Sequence, residues 1–160
     1  MKRVNGAFRI AAVCALATAS VLAHGAQAGD SADELVGNAA LVLKKIDAGD
    51  YTALWQQTAP FVRGFYTPER FASGLTQARK SVGTVSQRGW ASVTRLTYTH
   101  VKDIPDGLYA NVDYASQLAD GRVVYEKVSF QLGSDGHWYF TGYDSRQNPG
   151  SPGDVAQAQK

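Results

Sequence analysis

The chain contains very little cysteine, histidine or methionine. Its 160 residues include one cysteine, Cys14, with three histidines and one methionine. A single cysteine cannot close an intramolecular disulfide, so stability has to come from a packed core. Zinc sites need several ligands at recurring spacings, which so few cysteines and histidines hardly provide. We therefore expect neither a disulfide-stapled domain nor a metal ion or other cofactor.

The chain also lacks an apolar run of the roughly 20 residues that a membrane-spanning helix requires. Its main apolar stretch, Ile10–Leu22, is shorter. Basic residues precede this stretch and small residues follow it: Lys2, Arg3 and Arg9 on one side, and Ala26-Gln27-Ala28 on the other. This is the pattern of a cleavable secretory signal peptide. We expect cleavage between Ala28 and Gly29, and a periplasmic or secreted protein without a stable membrane anchor.

Removal of residues 1–28 changes the charge of the protein. Lysine plus arginine falls from 16 to 13 while the 14 acidic residues stay, so the formal net charge moves from +2 to −1. A near-neutral domain with dispersed charges is a poor partner for nucleic acid or for an anionic membrane surface. The mature chain also loses Cys14 and with it all thiol chemistry.

Catalytic motifs are missing as well. There is no Gly-x-Ser-x-Gly elbow and no glycine-rich phosphate loop before a helix. His100 with Asp103, or His137 with Asp135, would suit an acid–base pair. Both pairs lie beside turn residues, however, where aspartate commonly serves turn geometry. The sequence therefore favours a non-enzymatic protein.

Residues 29–83 carry helix signals. Ser31 with Glu34 forms a capping box, and apolar residues then recur at helical spacing until Gly49. Asp50 caps a short second helix that stops by Pro60, and Thr67-Pro68-Glu69 opens a third that ends at Gly83. The positions expected to face the core are Leu35, Ala39, Val42 and Ile46 in the first helix, and Phe71, Leu75, Ala78 and Val82 in the third.

After Gly83 the apolar period changes from 3.6 to 2. Strand-like runs cover roughly 84–99, 108–118, 122–132 and 137–146, separated by Asp-Gly turns that favour hairpins. The prediction is a single α+β domain, residues 29–146, with about three N-terminal helices packed on a four-stranded antiparallel meander. Residues 147–160 lack periodicity and are expected to form a disordered tail.

Several short motifs resemble those of a family of secreted bacterial proteins of unknown function. They are Ile46-Asp47-Ala48-Gly49-Asp50-Tyr51 with Trp55, Arg79 and Gly83, Ser86-Gln87-Arg88, Pro105-Asp106-Gly107 with Tyr109, Glu126-Lys127-Val128, and Asp135-Gly136-His137-Trp138 with Gly142-Tyr143. One departure is Phe71, where the family usually has tryptophan. The resemblance implies an exported compact domain and no particular activity. The order of elements is also similar to nuclear-transport-factor-like and cystatin-like folds, which host many functions.

Glu126 breaks the apolar pattern of its strand. Val124, Val128, Phe130 and Leu132 share its face, which is the predicted core face. A buried carboxylate is costly unless it is paired and hydrogen-bonded, and the candidate partners are Arg88 and Arg79. Three interpretations remain open: a structural ion pair, a polar anchor in a ligand pocket, and a general acid or base with a raised pKa.

Tyr139 and Tyr143 fall on the outer face of the last strand if its alternation is regular, opposite Trp138 and Phe140. With Tyr125 of the neighbouring strand they would form an exposed strip. Such a strip serves cross-strand packing or presents a contact surface for a partner.

The leading hypothesis is an exported, non-enzymatic domain, monomeric or weakly dimeric, that binds a protein partner or a small ligand. A pocket enzyme of the isomerase or hydrolase type centred on Glu126 is the first alternative. A structural component of the cell envelope is the second.

Overall fold

The computed structural model describes residues 31–148, and these form an α+β domain with helices first and strands second. The predicted signal peptide, its cleavage site at Ala28–Gly29 and residues 149–160 of the predicted tail lie outside this range. The helices are α1 (Ala32–Ala48), α2 (Tyr51–Gln56), α3 (Pro60–Phe65) and α4 (Pro68–Val82). The strands are β1 (Val85–Tyr98), β2 (Gly107–Leu118), β3 (Val123–Leu132) and β4 (Trp138–Arg146).

The capping signals in the sequence mark the true helix ends. Ser31, Asp50 and Thr67 each accept a backbone N–H bond at the start of α1, α2 and α4. Gly49 ends α1 in the left-handed conformation, with φ of 69°. Its own N–H and that of Asp50 return to the carbonyls of Ile46 and Lys45.

Helix α3 was not predicted, so the described residues contain four helices rather than about three. Pro60 was interpreted only as the end of the second helix. It is also the first residue of α3, since its missing N–H would be unpaired there in any case. The six residues of α3 include Gly64, which weakens the helical pattern in the sequence.

The four strands form one antiparallel sheet in the order β1-β2-β3-β4, which confirms the predicted meander. Every strand boundary lies within one residue of its predicted position. A bulge interrupts β4: Ser129 pairs with Gly142 and Phe130 with Phe140, so Thr141 is an extra residue. Residues after Thr141 therefore point to the opposite face from that expected for an unbroken strand.

The segment between α2 and α3 is attached to the edge of β4. Thr58 forms an isolated parallel bridge with Phe140. The Ala59 N–H donates to the Phe140 carbonyl at 2.8 Å, and the Phe140 N–H donates to the Gln57 carbonyl at 2.9 Å. These bonds fix the end of α2 against the sheet.

The core lies between the helix layer and one face of the sheet. It contains the predicted stripe of α1, the aromatic pair Trp138 and Phe140, and alternate residues of β2 and β3. Its principal members are Leu35, Ala39, Val42, Leu43, Ile46, Leu54, Phe71, Leu75, Ala110, Val112, Val128, Phe130, Trp138 and Phe140. Of the helices that the structure describes, none is long and apolar enough to span a membrane.

Two glycines of α1 allow a test of the cap. We expect Gly49→Ala to lower the free energy of unfolding by about 1 kcal/mol, because an L-residue is strained at positive φ. The matched control, Gly37→Ala inside the same helix, should raise it by about 0.5–1 kcal/mol. A Cβ meets nothing within 4 Å at either position, so only the backbone differs. Urea denaturation measures both, and equal shifts would contradict the capping role.

Candidate functional site

Glu126 on β3 is fully buried, and both of its carboxylate oxygens accept hydrogen bonds. Arg88 of β1 donates to them from Nε at 2.6 Å and from Nη2 at 3.2 Å. The Tyr143 hydroxyl of β4 donates to Oε1 at 2.7 Å, and the Ser116 hydroxyl of β2 donates to Oε2. The carboxylate is thus paired with a cation and surrounded by donors from the other three strands.

Arg88 extends this arrangement to the helices. Its Nη2 also donates to Asp47, near the end of α1, at 3.0 Å. Asp47 accepts a second cation, since Arg79 of α4 donates to it from Nε at 2.8 Å. Arg79 in turn donates from Nη1 to the carbonyl of Gly83, which caps α4.

These side chains form one polar cluster, here called the Glu126 cluster. All four strands and the two long helices each contribute one member: Asp47, Arg79, Arg88, Ser116, Glu126 and Tyr143. Two carboxylates and two guanidinium groups make it formally neutral. Exposure rises along it, from 0% for the Glu126 side chain through 18% for Arg88 to 34% for Asp47.

The pKa shifts in the cluster favour an ionised Glu126, a protonated Arg88 and a neutral Tyr143. Burial alone would raise the pKa of Glu126, but the hydrogen bonds from Arg88, Ser116 and Tyr143 outweigh it, so the pKa lies below 4.5. Burial and the negative charge of Glu126 raise the pKa of Tyr143, which remains a neutral donor. The bonds to Asp47 and Glu126 outweigh burial and raise the pKa of Arg88. A carboxyl with a lowered pKa is not poised to give or take a proton near neutral pH.

The sequence anticipated part of this cluster. The structure pairs Glu126 with Arg88, whereas Arg79 contacts Asp47, which is joined to Glu126 only through Arg88. Asp47 and Ser116 were missed. Ser116 could have been found by the rule that singled out Glu126, because it is a polar residue among the inward positions of its strand, Tyr114 and Leu118. Asp47 gave no such signal, since the end of an amphipathic helix ordinarily carries charge.

The predicted tyrosine strip does not form as a set of three. The bulge at Thr141 turns Tyr143 to the core side, where it packs against the core and bonds Glu126. Tyr125 and Tyr139 stay on the outer side and are half-buried. Tyr139 donates to Asp135 at 2.6 Å. A regular alternation places Tyr143 wrongly because one inserted residue reverses the face of all that follow.

The two histidine–aspartate pairs have the surroundings of turns. His100 and Asp103 both have positive φ, and the His100 N–H donates to Asp106 rather than to Asp103. His137 Nδ1 lies 3.4 Å from Asp135, with 77% of the His137 side chain exposed. Across residues 31–148 no three His, Cys, Asp or Glu side chains converge as metal ligands would.

A groove runs between α1, the α2–α3 connection and the β3–β4 hairpin, and we call it the hairpin groove. Its cavity measures about 410 Å³, within the roughly 300–1,000 Å³ usual for small-molecule sites. Its lining residues are Glu34, Asn38, Leu41, Val42, Gln56, Gln57, Phe130, Asp135, His137, Trp138, Tyr139 and Phe140. Trp138 is 8% exposed, and its Nε1 is a buried donor without a hydrogen-bond partner.

The two arginines of the Glu126 cluster allow a matched test of the buried pair. We expect Arg88→Met to lower the free energy of unfolding by about 3–5 kcal/mol, because it leaves a buried carboxylate without its cation. Arg79→Met should lower it by about 0–1 kcal/mol, since Asp47 is partly exposed and keeps Arg88. Urea denaturation of both variants measures the difference. Equal losses would show that burial of Glu126 does not set the strength of the cluster.

The lowered pKa of Glu126 predicts a pH dependence. The ionised group stabilises the fold at pH values above 4.5, and this contribution is lost as the pH falls through the folded-state pKa. Glu126→Gln should have a lower free energy of unfolding than the wild type at pH 7. This difference should become smaller as the pH falls below 4.5. Denaturation curves at several pH values measure it. A gap that stays constant or widens in acid would contradict the assignment.

Comparison with known proteins identifies a match to a protein family that has no assigned activity. Residues 38–143 match the family model described as protein of unknown function (DUF4019). This range contains every member of the Glu126 cluster and most of the hairpin groove. No curated protein and no solved structure matches the chain. Because the model covers well over half of the sequence, the chain belongs to the DUF4019 family.

Proposed function

We propose that this protein is an exported, non-enzymatic binding domain whose ligand site is the hairpin groove. The observation that carries the proposal is the groove itself, a cavity with an apolar floor and a polar rim. Concave sites that combine an apolar floor with polar groups are typical of ligand binding. Export rests on the signal-peptide pattern of residues 1–28.

The alternative of a pocket enzyme centred on Glu126 has less support. That carboxylate is fully buried, and its oxygens are occupied by Arg88, Ser116 and Tyr143. A general acid or base has to come within hydrogen-bond reach of a substrate. Glu126 lines neither the hairpin groove nor the two shallower cavities beside Arg79 and Phe61. We assign the Glu126 cluster a structural role, joining the sheet to α1 and α4.

Binding of a protein through the outer face also has less support than binding in the groove. The expected strip loses Tyr143 to the core side, which leaves Tyr125 and Tyr139 half-buried. A purely structural role in the envelope would not require a groove of this size. The similarity to nuclear-transport-factor-like and cystatin-like folds remains a prediction, and it agrees with a site between sheet and helices.

The groove can be tested without knowing its ligand. We expect fragments from a small-molecule library to shift amide resonances of groove residues in ¹⁵N-resolved NMR spectra of the mature domain. Asn38→Phe fills the cavity from α1 and should lower the affinity of the tightest-binding fragments at least tenfold. Ala40→Phe, an exposed position on the same helix outside the groove, is the matched control and should leave binding unchanged.

Two results would count against the proposed site. Fragments whose shifts map to another surface would move the site elsewhere, and a library without any hit would remove the binding function. Equal weakening by both phenylalanine variants would show that the effect comes from α1 as a whole rather than from filling the groove.

A further inference from the structure

Three residues with side-chain amides line the hairpin groove from two sides. Asn38 comes from α1, whereas Gln56 and Gln57 come from the end of α2 and the residue after it. Each amide presents one acceptor oxygen and two donor hydrogens in a plane. Neighbouring hydroxyl groups, which both donate and accept, satisfy such amides. An apolar ligand would instead strip them of water without offering replacement bonds.

The charge of the lining selects against anions. Glu34 and Asp135 contribute carboxylates, and no lysine or arginine is among the lining residues. The positive charge of Arg63 on α3 interacts electrostatically with the Tyr139 hydroxyl, but Arg63 does not line the cavity. The hydrogen bond from Tyr139 lowers the pKa of Asp135, so this carboxylate is ionised at neutral pH. Carboxylates only accept hydrogen bonds, so the ligand has to donate.

The floor of the groove is apolar but not an open aromatic platform. Val42, Phe130, Trp138 and Phe140 are each at most 8% exposed. Recognition of an organic cation usually uses the exposed face of a ring, which these residues do not offer. The exposed apolar surface of the groove comes from Leu41 of α1, an aliphatic side chain that suits C–H groups of a ligand.

We propose that the hairpin groove binds a neutral saccharide, an inference that rests on the proposed binding function. The C–H face of a sugar ring lies on the exposed apolar surface of the groove. Its hydroxyls donate to the carboxylates of Glu34 and Asp135 and exchange hydrogen bonds with Asn38, Gln56 and Gln57. No covalent step is involved.

The proposal is tested by calorimetry and NMR with the mature domain and probes of three charges. Cellotriose, maltotriose and chitotriose are the neutral saccharides, benzylamine is the cation, and glucose 6-phosphate is the anion. We expect at least one trisaccharide to bind and to shift resonances of groove residues. The double variant Gln56→Leu with Gln57→Leu should bind it at least tenfold more weakly. Both glutamines are exposed, so the variant should keep its fold.

Gln117→Leu supplies the control, because Gln117 is an exposed amide on β2 outside the groove and its loss should not change the affinity. If only benzylamine or only glucose 6-phosphate binds in the groove, the saccharide proposal is wrong but the proposed binding function is retained. The same conclusion follows if library fragments occupy the groove but no trisaccharide binds. If neither fragments nor any probe binds, both proposals fail. Saccharide binding that the double variant does not weaken would overturn the assignment to this groove.

Discussion

The carboxylate of Glu126 lies inside the molecule, and the ion pairs and hydrogen bonds that compensate its charge join the sheet to the helices. Arg88 brings a cation from the edge strand β1, two strands away, and its guanidinium also bonds Asp47 of α1. Replacing a buried pair with apolar side chains is often neutral or stabilising, so the pair is not needed for stability alone. Its hydrogen bonds, however, join one carboxylate to the other three strands and, through Arg88, to α1, so a shift of strand register or of α1 would break them. We interpret it as a device that selects this arrangement among others of similar apolar burial.

The sequence predicted much of the fold because the signals involved are local. Ser31, Asp50 and Thr67 cap helices through residues two or three positions away, and Asp-Gly turns join adjacent strands. The inward direction of Glu126 also followed from simple alternation along β3. Helix α3 escaped because Pro60 both ends one helical region and begins the next.

The rest of the site could not be predicted because it depends on contacts distant in the sequence. Asp47 and Arg88 are 41 residues apart and meet only when α1 docks on the sheet. Tyr143 reaches Glu126 because one extra residue, Thr141, reverses the end of β4. No local pattern announces that insertion. The hairpin groove is similar, since its amides come from α1 and the end of α2, where polar residues are ordinary surface choices.

The bridge between Thr58 and Phe140 bears on how the groove would admit a ligand. Backbone bonds tie Gln57 and Ala59 to β4, so the rim that carries the glutamines is attached to the strand that supplies part of the floor. Rim and floor cannot separate without breaking sheet-like hydrogen bonds. A ligand would therefore enter without hinge opening between the glutamine rim and β4. A ligand would meet a preorganised receptor, lose little free energy to ordering the backbone, and bind by lock-and-key rather than by induced fit.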